Sequence, residues 1–205
     1  MMRKNNFLIL TCIIICAWLG TFLTLAMPLK TMTNVKNEET KVLIDTVNIE
    51  LLISPKDSIK NQLIEQVENY IYKSFPKTHK TIPTSIVEIG LEKNVDILFM
   101  MAQTQIETSF GTAGAGRESS RRSLFGVAKR KYGTYDEAIN DYVALLKKSY
   151  LTRGRTEQDL MRRYTTTSGY NYAGNPNYEA ELRNAYSNIK RKTKIKELQN
   201  EYMKL

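Results

Sequence analysis

Apolar residues in this chain recur at helical spacing, in stripes separated by breaks rich in Gly, Asn and Pro. Ile59, Leu63, Val67 and Ile71 form the first stripe, four residues apart as on one face of a helix. Ser54, Pro55 and Asp57 ahead of it suit an N-cap, a first helical position and a first turn. Phe75-Pro76 ends it, and residues 76–84 read as a loop holding His79. Ser85 and Glu88 have capping-box spacing before Ile86, Val87, Ile89 and Leu91. Asn94 is the expected cap of a helix over about 95–110, with Val95, Leu98, Ala102 and Ile106 on its buried side. Gly111, Gly114 and Gly116 predict a flexible loop, followed by the apolar Leu124-Phe125-Gly126-Val127. Thr134 and Glu137 repeat the capping-box spacing before Ala138, Tyr142, Leu145 and Leu146. A short helix is expected near 156–164, then an ordered loop over 165–175. A final helix should run from Asn175-Pro176 to about 203, carrying Tyr178, Leu182, Ala185, Tyr186 and Ile189. No stretch after residue 53 alternates as a strand does. The expected fold class is mainly α.

The N-terminus breaks this pattern. Phe7–Met27 is a 21-residue run without a formal charge, preceded by Arg3-Lys4. At 1.5 Å per residue such a helix crosses an apolar layer of roughly 30 Å. It reads as a hydrophobic helix acting as a signal-anchor, and the flanking pair favours an inside N-terminus, weakened by Lys30 on the far side. A signal peptide cleaved after Ala26 is the rival reading, because Thr24 and Ala26 are small residues at the required positions. A buried globular helix is the third. Either of the first two exports the remainder, membrane-anchored or secreted. The expected organisation is 1–27 for insertion, 28–53 as a linker or arm with short apolar clusters, and 54–205 as one helical domain.

Composition narrows the chemistry. The 205 residues include two Cys and one His. Cys12 and Cys16 both lie in the apolar run, so the remainder has no thiol nucleophile, disulfide framework or thiolate zinc site. His79 alone supplies neither a Ser-His-Asp triad nor a multi-His metal site, and on a loop it reads as a surface residue. No cofactor or metal is called for. If the chain is an enzyme, carboxylates are its expected acid and base groups. Thirty Lys+Arg against 21 Asp+Glu give +9. Arg117, Arg121, Arg122, Lys129, Arg130 and Lys131 form one basic cluster, and residues 190–196 form another. Such charge attracts nucleic acid, anionic polymers or lipid headgroups. Without a nucleic-acid motif, and with an export signal, no specific nucleic acid is expected. A solvated basic face is the plain alternative.

Glu107 is the carboxylate that stands out. On a helix, Met100, Gln103, Glu107 and Phe110 share a face, with Glu107 at the last turn beside apolar surface and glycines. Burial there favours the protonated acid, and the helix C-terminus opposes the anion. A carboxylic acid kept protonated is what protonation of a glycosidic oxygen requires. On the residues alone, a helix-end glutamate reads more readily as a solvated cap-region residue.

The stretches AQTQIETSFG, SLFGV, TYDEAINDYVALL and GYNYAGNPNYEAEL, in this order over residues 60–190, resemble the glucosaminidase family of bacterial and phage peptidoglycan hydrolases. That family (mannosyl-glycoprotein endo-β-N-acetylglucosaminidase-like, glycoside hydrolase family 73) belongs to the lysozyme-like superfamily. The resemblance implies a lysozyme-like helical domain and a glycan strand of peptidoglycan as substrate. It implies Glu107 as the catalytic acid, Tyr172 lining the scissile sugar site and Phe125-Gly126 as a groove wall. Gln103 is a candidate hydrogen-bonding partner of the substrate and Tyr178 a candidate sugar contact, each with packing as its alternative. The catalytic domain reads as monomeric.

The sequence departs from the family in one respect. Many members insert a β-lobe carrying a second glutamate after the Phe-Gly element. Here Val127–Thr134 hold no acid, so that lobe is reduced or absent. Glu118 is the nearest upstream substitute, whereas capping accounts for Asp136 and Glu137. A lone acid also matches a lytic transglycosylase or muramidase, and a wall-binding or virion assembly protein is the non-enzymatic reading. A wall-remodelling enzyme, a secreted attack enzyme and a phage lysis enzyme would share these features.

Overall fold

The computed structural model describes residues 54–118, 120–127 and 130–205. The Phe7–Met27 segment and the 28–53 arm lie outside the described residues. Among those described, no helix is long and apolar enough to cross a membrane.

The described chain is helical: α1 Pro55–Ser74, α2 Thr81–Glu92, α3 Ile97–Thr108, α4 Gly114–Arg117, α5 Tyr135–Ser149, α6 Glu157–Arg162, α7 Tyr178–Lys192 and α8 Ile195–Tyr202. No strand occurs among the described residues. A single antiparallel bridge joins Thr165 and Asn171. The mainly α expectation holds.

The central element is α3. Residues 97–104 are all buried, as expected of a helix hydrophobic all round. It packs against α2, α4, α7 and α8. Its N-terminus is built by distant residues. Asp96 Oδ1 accepts from the N–H groups of Leu98 and Phe99 at 2.9 and 3.3 Å. Asp96 Oδ2 meets Lys196 Nζ at 2.8 Å and the Tyr186 hydroxyl at 3.0 Å. Buried Gln199 accepts from Ile97 N–H at 3.1 Å and donates to the Val95 carbonyl at 2.8 Å. Groups left open at a helix start are thus satisfied by α7 and α8. Gly90 permits the tight turn into α3, because a Cβ there would meet Ile97 Cγ1 at 2.8 Å.

The helix expected from Asn175-Pro176 starts instead at Tyr178, and four further boundaries differ from expectation. First, α2 starts at Thr81, because Ile82 and Pro83 are already buried and Pro needs no amide partner in a first turn. Ser85 is therefore inside the helix, where its hydroxyl bonds the Thr81 carbonyl and Asp136. Second, Asp96 rather than Asn94 caps α3. Asn94 sits at φ 48 and turns the chain between helices. Third, the glycine-rich loop includes one turn of helix, α4. Fourth, the last helix breaks at Thr193–Lys194. A continuous helix would leave Ile195 roughly 120° out of phase with Ile189, and the break turns both inward.

The end of α3 is unusual. Ser109, Phe110 and Gly111 follow at φ 49, 54 and 79. Positive φ for two consecutive non-glycine residues costs about 1–2 kcal/mol each. The turn drives the Phe110 ring into the core, 5.1 Å from Phe75 and 6.4 Å from Tyr70. Full burial of a phenyl group contributes about 1.5–3 kcal/mol, which offsets a large part of the strain. Phe110→Ala should lower unfolding free energy by about 3–5 kcal/mol, measured by denaturant titration. A loss below 1 kcal/mol would show that the ring does not hold the turn.

Candidate active site

Glu107 lies half-buried in the last turn of α3. The Tyr178 hydroxyl, from the first residue of α7, donates to Glu107 Oε1 at 2.6 Å. Gly126 closes the other side, at φ 64 and so near that a Cβ would lie 2.4 Å from Oε2. The conformation and the close approach both demand glycine. Burial raises the Glu107 carboxyl above its ordinary value, and the Tyr178 hydrogen bond, the smaller effect, opposes it.

The segment carrying Gly126 is pinned from both sides. Thr108 Oγ1, one residue beyond Glu107, donates to the Leu124 carbonyl at 2.9 Å. Tyr172 donates its hydroxyl proton to the Phe125 carbonyl. The Phe125 ring stacks on Tyr142 at 3.8 Å and 4°.

Behind the acid stands a wall of tyrosines. Tyr164 and Tyr172 stack at 4.3 Å and 6°. Tyr178 is tilted 5.4 Å from Tyr172, and Tyr150 meets Tyr164 and Tyr172 edge-on. Gln103 Oε1 accepts from the Tyr142 hydroxyl and, at 3.0 Å, from Tyr164. Burial pushes the hydroxyls of Tyr142, Tyr164, Tyr172 and Tyr178 upward. They stay protonated and act as neutral donors.

The structure brings Glu107, Gly126, Tyr172 and Tyr178 together, but it revises several expectations. Gln103 is 0% exposed; it organises tyrosine hydroxyls and presents no surface to a ligand. Its Nε2 has no hydrogen-bond partner among the described residues. Phe125 is buried as well, its ring against Tyr142 and its carbonyl taken by Tyr172, so this element meets the acid through Gly126 rather than its ring. Tyr178 is mostly buried and its hydroxyl is committed to Glu107, which leaves packing and acid positioning as its visible work. Glu118 is not among the groups on Glu107; it is exposed and pairs with Arg121 Nε at 3.1 Å. Asp136 takes the Ser85 hydroxyl, and Glu137 completes the capping box of α5. Tyr164 and Thr108 escaped the sequence reading. Neither carried a signal, since a lone Tyr after a short helix and a Thr beside a Glu are ordinary.

The basic cluster that includes Arg122 and Arg130 is partly engaged. Arg130 pairs with Asp141, and Arg122 Nη1 donates to the Tyr132 carbonyl at 3.1 Å. Exposed to solvent, the Arg130 pair orients more than it stabilises. His79 is exposed, its ring 5.1 Å from that of Tyr135. Among the described residues no three His, Asp or Glu side chains converge as metal ligands would.

A family model described as Glucosaminidase: Mannosyl-glycoprotein endo-beta-N-acetylglucosaminidase matches residues 84–191, just over half of the 205-residue chain. The match spans Glu107, Gly126, Tyr172 and Tyr178. A comparison with curated proteins finds no match.

The opposing influences on Glu107 give a signed expectation. Tyr178→Phe removes the hydrogen bond that favours the carboxylate, so the Glu107 carboxyl should titrate at still higher pH than in the parent protein. Carboxyl-carbon NMR titration reads both values directly. A downward shift in the variant would refute the arrangement.

Proposed function

The chain belongs to the glucosaminidase family, and from that premise we propose that it hydrolyses the glycan strand of peptidoglycan at N-acetylglucosaminyl linkages, with Glu107 as general acid. The observation that carries this reading is the half-buried Glu107 carboxyl, raised by burial and oriented by Tyr178 and Gly126. A helical scaffold without a strand lobe among the described residues supports a reduced lysozyme-like architecture.

The chemistry follows from the two carboxyl oxygens. Oε1 accepts the Tyr178 proton, which leaves Oε2 to carry the acidic proton. That proton passes to the glycosidic oxygen as its bond to the anomeric carbon breaks. The substrate's own acetamido oxygen closes on that carbon. The Glu107 carboxylate then takes a proton from water, whose oxygen reopens the ring to give a reducing end. Tyr172 and the Phe125–Gly126 backbone form the wall beside the sugar. The engagement of Glu118, Asp136 and Glu137 elsewhere favours such a single-acid route. It also supports a second reading, a lytic transglycosylase, in which the muramic acid hydroxyl closes a 1,6-anhydro ring with the same acid. On either reading the domain works outside the cytoplasm, exported by way of Phe7–Met27.

The test incubates the protein with purified peptidoglycan and identifies released ends by mass spectrometry. Reducing N-acetylglucosamine ends support the hydrolase, anhydromuramoyl ends support the transglycosylase, and absence of cleavage rejects both. Glu107→Gln should lower kcat by at least about 100-fold. The variant should not be less stable at pH 7. Its parent carboxyl titrates higher folded than unfolded, so ionisation near neutral pH opposes folding, and Gln removes that charge.

A further inference from the structure

A cleft outside this chemistry lies along the same hairpin as Tyr172. Arg153, Arg155 and Arg163 line an open cavity of about 390 Å³ together with residues 165–167. Among the described residues none of the three has a carboxylate within ion-pair distance. The nearby Asp159 is committed to Thr156 in the capping box of α6. Arg155 is held rigidly, its Nη1 and Nη2 donating to the carbonyls of Thr165 and Arg163 at 2.6 and 2.9 Å. That uses two of its five donors. Arg153 and Arg163 are exposed. Arg153 and Gly154 stand at φ 57 and 77, a left-handed turn that presents Arg153 at the rim. Three cations gathered around hydroxyl-bearing residues repel one another until an anion joins them.

The position of the cleft says which anion. Thr165 pairs with Asn171, and Tyr172 N–H donates to the Tyr164 carbonyl at 2.9 Å. The hairpin that forms the tyrosine wall beside Glu107 therefore also forms one side of the cleft. Tyr170, at the hairpin tip, is 74% exposed. Only Asn171 separates it from Tyr172, a span of roughly 7 Å when extended. A glycan strand lying against the wall would carry its own anions past this cleft, and those anions are the carboxylates of its peptide stems.

We propose that Arg153, Arg155 and Arg163 form a subsite for the carboxylates of peptidoglycan stem peptides, with Tyr170 as a flat face beside it. Arginine forks suit carboxylates bidentately. This rests on the peptidoglycan reading above, and deepens it: the preferred substrate is glycan that still bears its stems.

The test uses the full chain, wall material stripped of phosphate polymers, and the same glycan after an amidase has removed its stems. The wild type should show a KM about tenfold lower on stem-bearing glycan. In Arg153→Gln/Arg163→Gln that preference should collapse to within about twofold, through KM. A control of equal charge change, Lys190→Gln/Arg191→Gln, should keep the preference. An equal loss in the control would mean diffuse attraction and overturn the subsite, as would absence of preference in the wild type. Competition by added glycerol-phosphate polymer stronger than by soluble stem peptide would assign the cleft to phosphate and likewise overturn it. Cosedimentation of the same proteins with both glycans needs no catalysis. If nothing is cleaved, the enzymatic reading fails while sedimentation still decides the subsite.

Discussion

Residues 97–104 are buried all the way round α3, so this helix can neither rotate nor slide without exposing apolar surface, and its last turn is fixed as a result. Ile97, Leu98, Phe99, Met100 and Met101 are each wholly buried. At about 1.5–3 kcal/mol apiece their burial is on the order of 10 kcal/mol, comparable with the entire net stability of a typical domain. The strain of Ser109 and Phe110 at positive φ is several times smaller. The chain therefore accepts the strained turn rather than move the helix. Glu107 inherits its position from that inequality, and Thr108 passes it on to the Leu124–Gly126 segment through one hydrogen bond.

Among the described residues the carboxyl so placed takes its hydrogen bond from a neutral donor, Tyr178, although the chain carries a net charge of +9. An adjacent Arg or Lys would hold Glu107 ionised. A hydrogen bond to a charged group is worth about 1.5–3 kcal/mol, so Tyr178 alone would depress the carboxyl. The direction is nevertheless upward, which means that desolvation by the surrounding aromatic wall outweighs the bond. The Tyr178 bond engages Oε1 alone. Arg121 and Arg130 of the basic cluster pair with Glu118 and Asp141.

Local chemistry was legible and long-range chemistry was not. The stripe from Ile59 to Ile71, the Ser54 cap and the Thr134–Glu137 capping box could be read because each depends on residues within one or two turns. Glu107 could be placed at a helix end beside glycines for the same reason. The α2 start failed because Ser85 and Glu88 satisfy the local rule, while the burial of Ile82 and Pro83 against other elements decides the boundary. The Asn94 cap failed because Asp96 draws on Lys196 and Tyr186, some hundred residues away. Gln103 illustrates the limit. Its place on the face of Glu107 was correct, yet its partners come from α5 and the 164–172 hairpin, and no spacing in the sequence encodes that convergence.

The hairpin supplies a tyrosine face beside the acid in a domain with no strand lobe among its described residues. A two-stranded hairpin is marginal by itself. This one is held at its base by the Tyr164–Tyr172 stack and the Tyr172 bond to Phe125, and along its outer side by Arg155 and the Ser149 carbonyl. Its order thus depends on both flanks. Tyr172 and Tyr164 face the acid, and residues 165–167 face the arginines. An anion that tightened the arginine flank would restrict the same backbone that positions the tyrosine wall. The acid at the end of α3 and the charge on the far side of the hairpin are therefore joined by a short path of packed rings and backbone bonds.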